Sequence, residues 1–257
     1  MRTVVVTGSA SGIGLATAEI LRDRGDRVIG VDLHDADVTV DLTSAQGRTS
    51  MVAQVSALSG GTIDAVVANA GLALPVPATV AVNYFGALAT LEGLRPLLLG
   101  SDAPRAALTS SMASLMPHDD VLVDAALTGD EHKSMVRAQE LADAGRGDLI
   151  YASSKVALSR WMRRAATSPA WAAAGIPLNG IGPGIVETPM TADLLATDEQ
   201  RAAMAEMVPM PLHGYMQAEV PARLLVWLVS EENTHLCGQL VFVDGGSDAV
   251  IRGDSTW

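Results

Sequence analysis

The first fourteen residues constrain the fold of this 257-residue chain more than any other stretch. Residues 3–7 form an apolar, β-branched run, Thr-Val-Val-Val-Thr, that predicts a buried strand. The run stops at Gly8, and from Gly12 onward the apolar residues recur with the period of a helix. A strand, a glycine turn and a helix in this order open a parallel sheet of the α/β class.

The glycine spacing of that turn, Gly8-x-x-x-Gly12-x-Gly14, favours a dinucleotide-phosphate site. The free N–H groups and the dipole at a helix N-terminus attract negative charge. Gly8 permits the tight turn, Gly12 lets the backbone approach a pyrophosphate, and Gly14 lets the helix pack closely on the strand. An ordinary glycine-rich connection is the alternative. The position between an N-terminal strand and a helix favours the nucleotide site.

A carboxylate ends the second predicted strand, Arg27 to Asp32, eighteen residues after Gly14. Placed there, Asp32 accepts hydrogen bonds from the adenosine ribose hydroxyls and repels a ribose 2′-phosphate. The residues that follow, Leu33-His34-Asp35, include no Arg or Lys to receive such a phosphate. NAD is therefore expected rather than NADP. Asp41 and Leu42 follow a short strand and lie where an adenine could rest.

Composition excludes several classes of partner. A formal net charge of −12 argues against nucleic acid and against anionic membrane surfaces. No apolar run approaches the roughly 18 residues that span a bilayer. A single cysteine, Cys237, permits no internal disulfide, and the five histidines show no metal-ligand spacing. The chain enters its first strand at once, without a signal peptide. We therefore expect a soluble cytoplasmic protein without a metal.

Strand and helix patterns alternate along the rest of the chain. They predict one domain over residues 1–257, with a doubly wound, Rossmann-type parallel sheet of seven strands and helices on both faces. Two stretches are less regular. Residues 115–147, with a partly helical stretch around Glu131 to Ala144, are interpreted as an insertion, either a lid or a surface element. Residues 188–212 are interpreted as a substrate-loop region, in which Thr191 to Met207 form short mobile helices.

Tyr151 and Lys155 are spaced by four residues on a predicted helix, which places both side chains on one face, about 5–6 Å apart at Cβ. A nearby ammonium favours the phenolate and lowers the pKa of a tyrosine toward working pH, as a general acid–base requires. Such pairs are common and usually structural. This one gains weight because it follows the nucleotide-binding half and the serine-rich strand end Ser110-Ser111.

Asn83 stands among apolar residues of another predicted helix, about Thr79 to Leu99. An asparagine whose amide is hydrogen-bonded within the core is the commoner explanation of such a residue.

These motifs, with Asn69-Ala70-Gly71, Pro183-Gly184 and Asp244-Gly245-Gly246, occur in the order found in the short-chain dehydrogenase/reductase family, which the chain resembles over its whole length. The resemblance implies that Tyr151 is the acid–base and that Ser111 orients the substrate oxygen. It further implies that Lys155 binds the nicotinamide ribose, and that Asn83 holds a water of the proton relay. Ser110 and Ser114 are rivals for the serine role.

The resemblance also implies a set of cofactor and substrate contacts. The cofactor set is Gly8, Ser11, Gly12, Ile13, Gly14, Asp32, Leu33, Asp41, Leu42, Asn69, Ala70, Gly71, Tyr151, Lys155, Pro183, Gly184, Val186 and Thr188. Thr188 would anchor the nicotinamide carboxamide. The substrate set is Ser114, Met116, Met190 and Leu194. Several of these apolar residues are equally interpreted as core or interface residues.

Forty residues separate Ser111 from Tyr151, where the family usually has about a dozen. With the chain's C-terminal pattern, this resembles the branch of bacterial 3α-hydroxysteroid dehydrogenases/carbonyl reductases. It implies a bulky apolar alcohol or ketone as substrate. A terpenoid or aryl alcohol is the alternative, and a non-catalytic NAD-sensing protein is a further one. The extra segment would obstruct a tetramer interface of the family, so we expect a homodimer formed through residues 218–230 and 239–243, with a tetramer as the alternative.

Overall fold

The computed structural model describes residues 1–256 and places seven parallel strands in one sheet. The strands, in chain order, are β1 Thr3–Thr7, β2 Arg27–Asp32, β3 Val38–Thr39, β4 Ala65–Ala68, β5 Arg105–Thr109, β6 Leu178–Pro183, β7 Val186–Glu187, β8 Met216–Gln217 and β9 Leu240–Val243. The main sheet has the order β3-β2-β1-β4-β5-β6-β9 with every neighbouring pair parallel. The short strands β7 and β8 pair with each other. The predicted fold class is confirmed.

Helices cover both faces of the sheet. They are α1 Gly12–Asp23, α2 Ala45–Ser59, α3 Ala78–Val80, α4 Ala87–Leu98, α5 Asp120–Leu127, α6 Glu131–Asp143, α7 Asp148–Ala166, α8 Asp198–Met207, α9 Glu219–Leu228 and α10 Ser247–Arg252. A π-helical turn, Ala81–Gly86, joins α3 to α4. Short 3₁₀ turns occupy Met112–Leu115, Pro189–Thr191 and Asp193–Leu195.

The alternation of side chains along β1 explains the two-sided packing. Val5 belongs to the larger apolar core, which is shared with α2, α4 and α7. Val4 and Val6 point to the opposite face and pack in a second core with α9 residues such as Leu225. Because both faces of the strand are covered, its sequence is continuously apolar, as parallel strands require.

From β1 the sheet grows through β2 and β3 on one side, and from β4 it grows through β5, β6 and β9 on the other. The strand order therefore reverses between β1 and β4. In such sheets a crevice forms at the carboxyl ends of the strands beside this reversal. The glycine turn after β1 and the Asn69-Ala70-Gly71 segment after β4 both lie at this edge.

Three local features differ from the sequence-based expectation. Residues 115–147 include two regular helices, each started by an aspartate cap: α6, capped by Asp130, lies where a helical stretch is predicted, whereas α5, capped by Asp119, is not predicted. The predicted continuous helix over residues 79–99 contains the π-helical turn instead. The C-terminal helix α10 was not predicted, because its six residues are too few to show a period.

Residues 1–256 contain neither a membrane-spanning helix nor a group of side chains that could hold a metal. None of their helices is both long and apolar enough to cross a bilayer. Within the same residues, no three His, Cys, Asp or Glu side chains are grouped closely enough to hold a metal ion.

Candidate active site

The glycine turn forms a close-packed cradle at the start of α1. A Cβ atom added at Gly14 would lie 1.9 Å from the carbonyl oxygen of Gly8, so only glycine permits this contact between helix and strand. Gly8 and Gly12 have positive φ angles of 71° and 52°. Ser11 precedes the helix without a side-chain cap, so its first turn faces the crevice with backbone N–H donors.

Hydrogen bonds between neighbouring strand ends hold this cradle in place. The Thr7 hydroxyl oxygen accepts from the backbone N–H groups of Asn69 and Ala70, each at 3.0 Å. The Asn69 side-chain oxygen accepts from the Thr109 hydroxyl at 2.9 Å. These contacts join the ends of β1, β4 and β5. Thr109 was not singled out from the sequence, although its position as the last residue of a buried strand was visible there.

An open cleft of about 780 Å³ extends from the glycine turn to the tyrosine helix α7. Its lining residues are Gly8, Ser11, Gly12, Ile13, Asn69, Ala70, Gly71, Thr109, Ser110, Ser111, Tyr151, Lys155, Pro183, Gly184, Val186, Thr188, Pro189, Met190 and Thr191. Most of the predicted cofactor residues are therefore brought together. Thr188 lies directly over the turn, with its methyl carbon 3.2 Å from where a Gly12 Cβ would stand.

The remaining predicted cofactor residues lie on the β2 side of the glycine turn, outside this lining. Asp32 accepts hydrogen bonds from the backbone N–H groups of Ala10 at 2.9 Å and Leu33 at 2.6 Å. Leu33 and Asp41 are exposed, whereas Leu42 is buried. The fold also brings Arg22 into a recess with Asp35 and Asp37, a proximity that the local sequence did not reveal. The recess is lined by Ser9, Ala10, Leu15, Arg22, Gly30, Asp35, Ala36 and Asp37.

Lys155 is buried at the base of the cleft. Its ammonium donates to the carbonyl oxygen of Thr109 at 2.9 Å and lies 5.7 Å from the centroid of the Tyr151 ring. Burial lowers the pKa of Lys155 to about 8, because the charged form loses solvation. The helical spacing of four thus places both groups together, as the sequence predicted.

The Tyr151 phenol behaves differently from the expectation. Burial raises the pKa of Tyr151 above its ordinary value, and a hydrogen bond with the Ser111 hydroxyl acts in the opposite direction. The expected lowering of this pKa by Lys155 is not found in the protein alone, where the cost of burying a phenolate dominates.

The structure distinguishes the three serines. Ser110 is buried and exchanges a hydrogen bond of 2.8 Å with Ser159, so its hydroxyl is used within the core. The Ser114 hydroxyl donates to the backbone carbonyl of Ser111 at 2.8 Å. Ser111 is half-buried, caps the Met112–Leu115 turn and lies beside the phenol of Tyr151.

Asn83 is fully buried in the π-helical turn. Its side-chain oxygen accepts from the Leu72 N–H at 2.8 Å, and its amide donates to the Leu72 carbonyl at 2.9 Å and to Ser154 at 3.0 Å. The side chain therefore joins the strand-end loop to α7. Ser154, which also donates to the Tyr151 carbonyl at 2.7 Å, was missed by sequence analysis because a serine in a helix carries no signal of its own.

The predicted substrate residues are only partly together. Met190 lines the cleft. Met116 packs at the edge of a third, smaller apolar cluster whose buried members are Met112, Ile185, Leu195, Val208 and Met210. Leu194 is about half exposed and does not line the cleft, and Ser114 also lies outside the lining.

Comparison with known proteins gives consistent results. A family model described as enoyl-(acyl carrier protein) reductase matches residues 131–248. The chain is 35% identical over 98% of both lengths to 3-alpha-hydroxysteroid dehydrogenase/carbonyl reductase of Comamonas testosteroni. It is 28% identical to cis-4-hydroxycyclohexanecarboxylate dehydrogenase of Sinomonas cyclohexanicum, over 97% of both.

Solved structures agree with these relatives. The crystal structure of 3-alpha-hydroxysteroid dehydrogenase from Pseudomonas sp. B-0831 complexed with NADH superposes with a TM-score of 0.89 at 36% identity. The match covers 98% of this chain and 99% of that one. The chain therefore belongs to the short-chain dehydrogenase/reductase family and is an oxidoreductase that acts on hydroxyl groups.

Proposed function

We propose that this protein interconverts a bulky apolar secondary alcohol and its ketone with NAD as cofactor, on a substrate of the 3α-hydroxysteroid type. The observation that carries the proposal is the meeting of Tyr151, Ser111 and Lys155 in the cleft that begins at the glycine turn.

The cleft fits a dinucleotide. A side chain at Gly14 would collide with the backbone of Gly8, and the first turn of α1 presents N–H donors suited to phosphate oxygens. The glycine turn and Asn69-Ala70-Gly71 would hold the phosphates and the neighbouring ribose, and Thr188 the carboxamide. A bound nicotinamide dinucleotide supplies the hydride exchange that protein side chains lack.

The side chains perform the proton chemistry. In oxidation, the Tyr151 phenolate takes the proton of the substrate hydroxyl, and in reduction the phenol returns it to the carbonyl oxygen. Ser111 donates to the same substrate oxygen and holds it against Tyr151. Lys155 supplies positive charge near the phenol and fixes its distance through the Thr109 carbonyl. Asn83 and Ser154 hold α7 against the strand-end loop, so we assign them a positioning role.

The preference for NAD rests on Asp32. Its carboxylate is held by the N–H groups of Ala10 and Leu33 at the end of β2. The nearby recess holds Asp35 and Asp37 against one arginine, Arg22, so the local charge is negative. A ribose 2′-phosphate would meet this charge unfavourably.

The substrate class rests on the apolar cluster around the cleft and on the relatives. Met190 lines the cleft, and the buried Met112 and Met210 belong to the apolar cluster behind it. Methionines are flexible and polarizable, which suits a bulky apolar ring. The two curated relatives are named for a hydroxyl group on a carbon ring. A terpenoid or aryl alcohol is the second candidate.

Two further proposals concern the whole protein. We place it in the cytoplasm, because its single cysteine, Cys237, forms no internal disulfide of the kind that oxidising compartments favour. We also propose a homodimer formed through α9 and the edge strand β9, where Val220 and Trp227 expose apolar surface.

The first experiment measures initial rates by the absorbance of the reduced nicotinamide. It pairs NAD⁺ or NADP⁺ with a 3α-hydroxysteroid, its 3β epimer, a terpenoid alcohol and an aryl alcohol. Turnover of the 3α-steroid with NAD⁺ is expected. Turnover of only the other alcohols would rule out the steroid as the substrate class and would leave the proposed mechanism in place. Tight NAD binding without turnover of any alcohol would favour a non-catalytic, NAD-sensing protein.

Tyr151→Phe should lower kcat by roughly 100-fold or more, because the proton acceptor is lost, while NAD binding stays unchanged. Tyr84→Phe is the matched control, since Tyr84 is buried outside the cleft lining. Turnover of Tyr151→Phe at the rate of the unmodified enzyme would contradict the assigned role.

Asp32→Ser should reduce the preference for NAD⁺ over NADP⁺ by roughly tenfold, because one charge facing the 2′-phosphate is removed. Dissociation constants of the two cofactors, measured by calorimetry, test this. Asp23→Ser removes the same charge from the exposed end of α1 and should leave the preference unchanged. An unchanged preference in Asp32→Ser would assign selectivity elsewhere.

A further inference from the structure

The hairpin formed by α5 and α6 lies between the Ser111 turn and the tyrosine helix in the chain, and it touches both ends of the site. α5 packs along α7, and α6 packs on α5 and reaches α3 and the π-helical turn. Two ion pairs leave α6 in different directions, from Glu131 and from Arg137.

The first pair holds the β3 side of the site. The Arg48 guanidinium on α2 is buried and donates to both carboxylate oxygens of Glu131, at 2.8 and 2.7 Å. It also donates to the carbonyl oxygen of Leu42 at 3.4 Å. Leu42 in turn packs on the π-helical turn, 3.2 Å from where a Gly86 Cβ would stand. Glu131 therefore fixes the arginine that holds the Asp41-Leu42 segment.

The second pair holds the substrate side. Arg137 donates to both carboxylate oxygens of Asp119, at 3.0 and 2.7 Å. Asp119 is buried and caps α5 through the Leu122 N–H at 2.8 Å. Its own N–H donates to the Ser153 hydroxyl at 2.9 Å, two residues beyond Tyr151. The chain from Ser111 to Asp119 is thereby tied to α7 at its far end.

Arg137 binds Asp119 through two guanidinium nitrogens, one to each carboxylate oxygen, whereas Arg48 reaches both Glu131 oxygens from one nitrogen. Charge-assisted contacts of this kind fix direction as well as distance. Each pair ties one buried partner, Arg48 or Asp119, to α6. Their placement, one beside the β3 end of the crevice and one beside the tyrosine helix, serves geometry.

We propose that α6 is a positioning element with two separate anchors: Glu131 with Arg48 sets the adenine side of the cofactor site, and Arg137 with Asp119 sets Ser111 relative to Tyr151. The inference rests on the proposed function, because it assigns effects on NAD binding and on turnover.

The adenine anchor is tested by Glu131→Gln and by the paired change Arg48→Met with Glu131→Leu, which leaves no unpaired buried charge. The dissociation constant of NAD⁺ for the protein, measured by calorimetry, should rise roughly threefold to tenfold. The kcat at saturating NAD⁺ should stay unchanged, because the substrate anchor is intact.

The substrate anchor is tested by Asp119→Asn with Arg137→Met, in which the asparagine keeps the helix cap. The kcat should fall roughly tenfold or more, because Ser111 is displaced relative to Tyr151. The dissociation constant of NAD⁺ should stay unchanged.

Asp143→Asn is the control on the same helix. It removes one exposed carboxylate, as Glu131→Gln does, and it leaves both anchors in place, because the Asp143 side chain accepts only from Gln139. Both readouts should match the unmodified enzyme, and thermal denaturation should show all variants folded at the assay temperature.

The two anchors must affect different readouts. If both pairs change NAD⁺ binding and kcat together, or if neither changes, the inference is overturned. The inference would also be overturned if each loss of NAD⁺ binding or of kcat were fully explained by the fraction of that variant that is unfolded at the assay temperature. An unmodified protein that binds no NAD⁺ would overturn the proposed function and this inference together, whereas normal binding and turnover in every variant would overturn this inference alone.

Discussion

At the scale of single residues, the site places an ionisable group where ionisation is costly. Lys155 is 4% exposed, and burial lowers its pKa to about 8 from its ordinary value of 10.5. The same ammonium donates to Thr109 and lies beside Tyr151. The residue that orients the tyrosine helix and supplies charge to the phenol is therefore a source of instability, as functional groups often are.

Lys155→Met should stabilise the protein at neutral pH. Because the folded pKa lies below the unfolded one, the cost is complete below pH 8 and disappears as pH rises toward 10.5. The shift corresponds to about 3 kcal/mol, and losing the bond to the buried Thr109 carbonyl offsets about half of this. Thermal denaturation should show a gain at pH 7 that shrinks as the pH rises above 8 and is lost before pH 10.5.

Lys133→Met is the control for this change, since Lys133 is exposed on α6 and the gain should be absent. A gain in Lys155→Met that is independent of pH would show that packing, and not ionisation, is responsible.

At the scale of secondary-structure elements, the site depends on irregular points within regular ones. The π-helical turn Ala81–Gly86 interrupts what the apolar period predicts as one helix, and it places Asn83 against the loop after β4. π-helical turns are frequent at functional sites because they redirect one side chain. The contact of α1 with β1 through Gly14 is a second such point.

Gly14→Ala should destabilise the protein by about 1–3 kcal/mol and weaken NAD binding, because a methyl group 1.9 Å from the Gly8 carbonyl forces α1 away from β1. Denaturant unfolding and calorimetry measure the two effects. Gly93→Ala is the control, because its added carbon would lie 2.6 Å from a side-chain methyl of Val52 and not against backbone, and alanine favours a helix. Equal free energies of unfolding for Gly14→Ala and Gly93→Ala would contradict the close contact of α1 with β1 at Gly14.

At the scale of the whole molecule, the α5–α6 hairpin and α9 lie on different faces. The hairpin covers α7, whereas α9 packs on α1 and leaves Val220 and Trp227 exposed, at 42% and 38%. β9 is an edge strand beside it. An edge strand next to exposed apolar side chains favours pairing between subunits.

The dimer proposal predicts a mass in light scattering of twice 26.6 kDa. Trp227→Arg should give a folded monomer, because a charge enters the proposed contact. Val121→Arg, at a 51% exposed position of α5, should leave the dimer intact. A tetramer, or a dimer lost in the α5 variant instead, would place the contact on the hairpin.

Local sequence alone determined much of this protein. The strand pattern of residues 3–7, the glycine spacing to Gly14 and the Tyr151–Lys155 interval act over short stretches, where period and turn geometry are fixed by the backbone. The fold class followed from them, and the family resemblance to which they contribute implied most of the residues that line the cleft.

Tertiary structure decided what depends on groups distant in the chain. It placed the Ser110 hydroxyl in the core, against Ser159 and the Lys155 carbonyl, and left Ser111 beside Tyr151. It brought Arg22 into one recess with Asp35. It also buried Tyr151, which raises the pKa of the phenol, and no residue spacing in the sequence indicates this burial. It also joined Arg48 to Glu131 across 83 positions. The solvation of a side chain and its contacts with residues distant in the chain depend on the folded structure, so a local sequence pattern does not predict them.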